Sequence, residues 1–311
     1  MKRVICLILI CCLLCLCTGC EGSAQETVFA MDTVMELTAW GKDAQEGLDQ
    51  IKTLLRDLEN TWSSQKEDSL LSRINDKEEA ALTLEQEKLL DRVEALSAYT
   101  GGAFDPKLLA VSALWGFTEE THSLPAADEI AQALAQRQWD LGAALKGYAG
   151  QQAAQLLEQL DIDRALLNLG GNIQTYGEKP DGAPWNIGIQ NPDGGDPVGI
   201  VAVTGTASIV TSGDYQRYFE LEGTRYHHIL DPETGRPADS GLRSVTVICR
   251  DGLTADALST ALFVMGLEEA ADFWRDKGGF EAVFITTEGK IYATAGAALS
   301  GCEFEVIADE D

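Results

Sequence analysis

Apolar residues recur at helical spacing in the first half of this chain and at strand spacing in the second, and the two patterns do not alternate. Leu48, Ile51, Leu54, Leu55 and Leu58 share one helical face, which predicts an amphipathic helix over 44–60. A second helix is expected over 84–99, with Thr83 and Gln86 as a capping box and Gly101 as its stop. A third follows Lys146-Gly147 and runs to residue 160. Strands are expected at 28–40 and 165–169, then in a cluster at 185–190, 199–204, 208–211, 217–222 and 244–249. Asn191-Pro-Asp-Gly-Gly195 and Asp231-Pro-Glu-Thr-Gly235 are turns by composition. Helices over 254–265 and 268–277 and a hairpin over 281–294 close the pattern. Helices that precede clustered strands, with no strict strand–helix–strand alternation, define an α+β or mixed α/β fold. The expectation is two intertwined subdomains of mainly antiparallel sheet with packed helices.

The N-terminus sets the compartment. Lys2 and Arg3 precede an apolar run from Val4 to Leu16, and Cys17-Thr-Gly-Cys20 follows. That is the layout of a secretory signal, and the run is shorter than the roughly 20 residues a spanning helix needs. A cysteine straight after Thr18-Gly19 resembles a bacterial lipoprotein box, although Cys17 stands where leucine is usual. The expected organisation is a signal over 1–19, a tether over 20–27 and one catalytic-size domain over 28–311. Lipid on Cys20 would hold the protein at the outer face of the cell membrane; plain secretion and an uncleaved anchor are the alternatives. Six of the eight cysteines (6, 11, 12, 15, 17 and 20) fall in this leader. Its two Cys-x-x-Cys spacings are therefore not metal or redox pairs. The mature chain keeps Cys20 with Cys249 and Cys302, and the last two are too few for a disulfide framework.

Net charge narrows the partners. The chain carries −27, and loss of Lys2 and Arg3 with the leader makes it −29. Such a surface repels nucleic acid and anionic lipid at long range. A phosphate-bearing ligand would need a local lysine, backbone amides or a metal ion.

Those groups occur together in Trp139-Asp-Leu-Gly-Ala-Ala-Leu-Lys-Gly-Tyr148. An aspartate, a short loop and Lys146 sit at the start of a helix, where N–H groups and the helix dipole favour an anion. The alternative is a surface turn with a solvated lysine. There is no Walker A loop, no Gly-x-Ser-x-Gly and no His-Glu-x-x-His. With three histidines in all, a metal site here should be hard and oxygen-based. Asp256 and Thr260 are four apart, so a carboxylate and a hydroxyl share one helical face with Ser259 beside them. They can share an Mg²⁺, or serve only the helix dipole and a back-bond to a carbonyl. In Ala103-Phe-Asp-Pro106 a ring stands beside a carboxylate, which suits either a stacked heterocycle or a buried anchor with a turn aspartate. Asn168-Leu-Gly-Gly-Asn172 lets the backbone pass close to a ligand or a neighbouring strand. His227-His228 offers a general base near neutral pH, or a structural pair.

In order along the chain, these segments resemble the FAD:protein FMN transferases, the ApbE family of bacterial lipoproteins. The matching pieces are Met31-Asp-Thr33, Phe104-Asp-Pro106, 140–148, 168–172, Ser212-Gly-Asp-Tyr215, His228-Ile-Leu-Asp-Pro-Glu-Thr-Gly235 and 255–261. The resemblance implies transfer of FMN from FAD to a threonine or serine hydroxyl of an acceptor protein, with Mg²⁺ and release of AMP. It implies Mg²⁺ ligands at the Ala143 carbonyl, Asp256 and Thr260. FAD contacts would be Met31, Ala103, Phe104, Asp105, Asp140, Lys146 and Ser259, and His228 would be the base. A flavin-carrying extracytoplasmic electron-transfer subunit would be the acceptor. Two departures stand out: Ala143-Ala-Leu145 replaces the usual Gly-Ile-Ala, adding bulk at Leu145, and Asp32 replaces a common glycine. An FAD pyrophosphatase, with water as acceptor, and a non-catalytic flavin-binding lipoprotein are the competing functions.

Overall fold

The first strand arrives earlier than the sequence pattern places it. The computed structural model describes residues 22–308 except Thr118 and Glu120; the signal and Cys20 lie outside the described residues. β1 (Ser23–Ala30) pairs antiparallel with β2 (Thr33–Trp40) in a register closed by Ala30 opposite Thr33. The single strand expected over 28–40 is thus a hairpin, and Ser23 to Thr27, expected as tether, belong to its first strand. Its two-residue loop is Met31-Asp32, both left-handed at φ 50° and 58°. Hairpin loops of two residues demand that geometry, but asparagine and glycine usually supply it, so the sequence carries no turn signal here.

Helices α1 (Ala44–Trp62), α2 (Leu70–Asn75), α3 (Leu84–Tyr99), α4 (Leu109–Trp115), α5 (Ala127–Gln136) and α6 (Leu145–Glu158) follow. The Thr83–Gln86 capping box of α3 is formed, with both reciprocal bonds present. β3 (Arg164–Leu169) and β4 (Asn172–Tyr176) extend the sheet from β2 through a tight turn at Gly170-Gly171. β5 (Trp185–Ile189) and β6 (Gly199–Val203) form a separate small sheet with the later β13 (Leu299–Ser300). β7 (Ala207–Gly213) returns to the large sheet, while β8 (Tyr218–Leu221) and β9 (Thr224–His227) make an outlying ribbon. β10 (Leu242–Cys249), α7 (Gly252–Lys277), β11 (Glu281–Thr286), β12 (Ile291–Thr294) and β14 (Glu305–Ile307) complete the chain. The large sheet has nine strands in the order β1-β2-β3-β4-β7-β10-β11-β12-β14, antiparallel except between β12 and β14. This is the mixed α+β architecture with mainly antiparallel sheet that the sequence pattern predicts.

Two apolar clusters line the helix-bearing face of this sheet. One joins α1 and α6 to β1, β2 and β3 around Leu48, Ile51, Ala153, Leu157, Leu37 and Leu167. The other joins α7 to β7, β10 and β11 around Leu258, Leu262, Val210, Val247 and Phe284. The small sheet packs on the sheet through Trp185, Ile187, Val203 and Ile209. α7 is two helical segments joined across a kink: Gly266 breaks the helix at φ 78°, ψ 173°. The sequence pattern separates the two segments at the same place. Cys249 and Cys302 are both free thiols.

Candidate functional site

The site starts where α6 and α7 cross, and two glycines make the crossing. A Cβ on Gly147 would lie 2.0 Å from the Gly252 carbonyl oxygen and 2.7 Å from Asp256 Cβ. A Cβ on Gly252 would lie 2.2 Å from the Gly147 carbonyl oxygen. Backbones this close leave no room for any side chain at either position. Because the helices touch, the Gly147 N–H reaches across 109 residues and donates to Asp256 Oδ2 at 2.8 Å. Gly147 is the third residue of α6, whose first-turn N–H groups have no acceptor within the helix, and Asp256 supplies one. Tyr148 keeps its ordinary bond to the Ala144 carbonyl, at 3.1 Å. The Ala143 carbonyl lies just before the N-cap Ala144 and is not taken up by this turn; Asp256 is buried, only 4% exposed. Gly147→Ala is expected to cost roughly 3 kcal/mol, read by denaturant unfolding, since helix-borne atoms must part to admit the methyl. A cost below about 0.5 kcal/mol would show that the crossing is not tight.

Thr260 joins this group one turn along α7. Ser259 Oγ donates to the Asp256 carbonyl at 2.8 Å. Ser212, from the end of β7, lies 2.8 Å from Ser259 Oγ and 3.2 Å from Thr260 Oγ1. Each hydroxyl has one proton, so the order of donation follows. Ser259 gives its proton to the carbonyl, Ser212 gives its own to Ser259, and Thr260 gives its own to Ser212. Thr260 Oγ1 then keeps both lone pairs, as a cation ligand must. The Ala143 carbonyl, the Asp256 carboxylate and the Thr260 hydroxyl are hard oxygen donors of the kind that suits Mg²⁺. Ser259, expected to touch ligand, is fully buried at 0% exposure and acts instead on Ser212. Sequence reasoning passes over Ser212 as a ligand-supporting residue; its signal is its place in the Ser-Gly-Asp-Tyr motif. Asp214 of that motif is held by Arg243 Nε at 2.8 Å, and the Asp214 N–H donates to the Arg243 carbonyl at 3.0 Å, which pins the end of β7.

Lys146, Asp140, Arg217 and His228 form the polar wall beside the helix start. Asp140 Oδ1 accepts the Gly142 N–H at 2.9 Å, shaping the loop before α6. Burial pushes the Asp140 carboxyl upward, while that N–H, Arg217 and Lys146 oppose the push. His228 is tied twice to one carbonyl: its N–H donates to Arg217 O at 3.0 Å and its Nδ1 lies 3.2 Å from the same oxygen. A carbonyl only accepts, so Nδ1 carries the proton and Nε2 presents the lone pair. Burial, then Arg217 and Lys146, hold the His228 imidazole down to about 3. His228 is therefore neutral across the physiological range. His227 faces the other way, with Nε2 3.2 Å from the Ala238 carbonyl and its ring edge-on to Phe263 at 5.4 Å. Arg217 carries no signal in the sequence, where it reads as an ordinary exposed residue.

The remaining expected contacts divide. Leu145 is buried in the helical core, so its added bulk does not narrow the ligand space. Phe104 is 1% exposed and packed with Trp62, Leu141 and Leu253, so the buried-anchor reading holds and the ring offers no stacking face. Ala103 is partly buried in the same cluster. Asp105 is paired with Arg137, and its Oδ1 also accepts the Lys107 N–H at 2.9 Å. Asn168 Oδ1 accepts the Gly171 N–H at 2.8 Å. The neighbour that requires Gly170 is Thr33: a Cβ there would lie 2.3 Å from Thr33 Oγ1. The Met31 turn and the 168–172 turn are thus in contact.

A mixed sheet with a crossed helix pair thus brings a carboxylate, hydroxyls, a lysine and a neutral imidazole to the start of one helix, groups that could hold a phosphate-bearing cofactor or substrate. The chain belongs to the ApbE family, whose sequence profile matches residues 31–284. It is 32% identical to the FAD:protein FMN transferase of Treponema pallidum (strain Nichols), over 92% of this chain and 92% of that one. The FAD:protein FMN transferase of Escherichia coli (strain K12) is 33% identical over 81% of this chain and 80% of its own. Among solved structures, the ApbE protein of Thermotoga maritima superposes with a TM-score of 0.80 at 31% identity, covering 87% of this chain and 96% of that one.

Proposed function

We propose that this protein transfers FMN from FAD to a threonine or serine hydroxyl of an acceptor protein and releases AMP. The observation that carries the reading is the α6–α7 crossing. There the helix that bears Lys146 bonds the Asp256 carboxylate through its Gly147 N–H, with Thr260 one turn further along α7 and Ala143 just before α6, which supports these three as the ligand set. The names of the relatives support the same reaction. Mg²⁺ held by those three groups would offset charge on the FAD diphosphate and polarise its phosphorus. Lys146 adds a point charge and α6 its N-terminal dipole. The acceptor oxygen bonds to the flavin-side phosphorus, and the bond from that phosphorus to the bridging oxygen breaks. AMP leaves with the bridging oxygen, and the hydroxyl proton passes to His228 Nε2. Mass spectrometry of an extracytoplasmic flavin-carrier subunit incubated with the enzyme, FAD and Mg²⁺ tests this. The expected result is an added FMN mass on one hydroxyl residue. Free FMN and AMP with an unmodified acceptor would instead favour the FAD pyrophosphatase, and bound FAD that never turns over would favour a cofactor reservoir.

The leader completes the reading: lipid on Cys20 would hold the enzyme outside the membrane beside such acceptors. Cys20→Ala is expected to move the protein from the membrane fraction to the soluble one or to leave it unprocessed. A wild-type mature N-terminus elsewhere, without lipid mass, would overturn the assignment.

A further inference from the structure

The Met31-Asp32 loop is a pair of adjacent left-handed residues, neither of them glycine, at φ 50° and 58°. L-residues with a Cβ resist that conformation, and it persists only where the surroundings impose it. The hairpin register imposes it here, and two contacts from outside the hairpin hold it. On one side Gly170 of the β3–β4 turn packs against Thr33, the residue after the loop. On the other, Glu59 in the last turn of α1 accepts the Met31 N–H through Oε1 at 3.1 Å. Glu59 Oε2 is in turn 3.3 Å from Lys66 Nζ, which fixes the carboxylate's orientation. The Met31 side chain is half-buried and touches both the α1–α6 cluster and the helical cluster around Phe104. A rotation of this loop would therefore withdraw it from the junction of the two.

We infer that Glu59 is a positioning residue for flavin binding, holding the left-handed loop and with it Met31 against the cluster that carries Ala143 and Leu145 at the start of α6. The inference rests on the FAD reading of the site above. Glu59 touches no reacting atom, so its loss should appear in FAD affinity and leave turnover at saturating FAD unchanged.

The test is FAD affinity, by quenching of flavin fluorescence, for five proteins: wild type, Glu59→Ala, Glu59→Gln, Met31→Ala and the double variant Glu59→Ala with Asp32→Gly. Glu59→Ala should weaken FAD binding about tenfold, the scale of one charge-assisted hydrogen bond. Glu59→Gln should stay within about twofold of wild type, because its amide oxygen still accepts the Met31 N–H. Adding Asp32→Gly to Glu59→Ala should recover part of the loss, because glycine takes a positive φ without strain. A merely structural role would lower the unfolding midpoint of Glu59→Ala and leave the FAD affinity of the folded protein unchanged. Wild-type affinity in Glu59→Ala, together with weakened binding in Met31→Ala, would overturn the inference and leave the flavin site standing. Wild-type affinity in Met31→Ala would overturn the flavin reading of this loop, and the inference with it.

Discussion

Asp256→Ala is expected to abolish FMN transfer, by at least about 10³-fold, the equivalent of roughly 4 kcal/mol of lost charge stabilisation at the diphosphate. Asp256 is the only carboxylate in the proposed ligand set, since its companions are the neutral Ala143 carbonyl and Thr260 hydroxyl. The alanine variant also strips the acceptor from the buried Gly147 N–H, which by itself costs about 1–3 kcal/mol of stability. Asp256→Asn separates the two effects. The amide oxygen still accepts the Gly147 N–H, so the crossing holds, while the negative charge is gone. It should therefore unfold near the wild-type denaturant midpoint and yet transfer FMN only weakly, with a much higher Mg²⁺ requirement. Thr260→Val should be milder, because it removes a neutral ligand. Full transfer by Asp256→Asn in the presence of a chelator would remove Asp256 from the metal site.

The sequence reveals those parts of this arrangement that local chemistry encodes. The capping box at Thr83 and the two segments of α7 are local devices, and both form where their residues stand. Asp256 and Thr260 are legible as a pair because helical spacing fixes their common face. What the pair meets is not legible, because Gly147 lies 109 residues away and reads as half of a common turn dipeptide. Only the crossing shows why it must be glycine. Ser259 has the spacing of a ligand, but its burial is set by β7 packing on α7, which no window of sequence contains. The Met31-Asp32 hairpin is hidden for the opposite reason: distant residues hold a loop whose own composition disfavours it. The sequence pattern also assigns no element between Pro106 and Gln138. There α4 and α5 bury Val111, Trp115 and Ile130 against Phe219 and Leu230 of the later chain, a satellite core with no strong period of its own.

His228→Ala is expected to bind FAD nearly as wild type does and to transfer FMN about 10²–10⁴-fold more slowly, the usual cost of a lost general base. The geometry sharpens this beyond the motif. Arg217 holds the imidazole by Nδ1, so only Nε2 can take the proton. The same surroundings bear on pH. Burial and the charges of Arg217 and Lys146 disfavour the imidazolium, so the free enzyme's base is neutral at every pH above about 3. An ordinary histidine would gain a proton, and transfer would fall, as pH dropped through 6.5. Here kcat/KM for FAD should stay level from pH 8 to pH 5 unless another group titrates. His227→Ala is the internal control. Its ring is buried against Phe263 and bonded to Ala238, so that variant should lose thermal stability while its transfer rate changes much less. The decisive comparison is transfer to one acceptor at saturating FAD by wild type and both variants. If His228→Ala matches wild type, the proton leaves by another path and the wall around Lys146 serves binding alone.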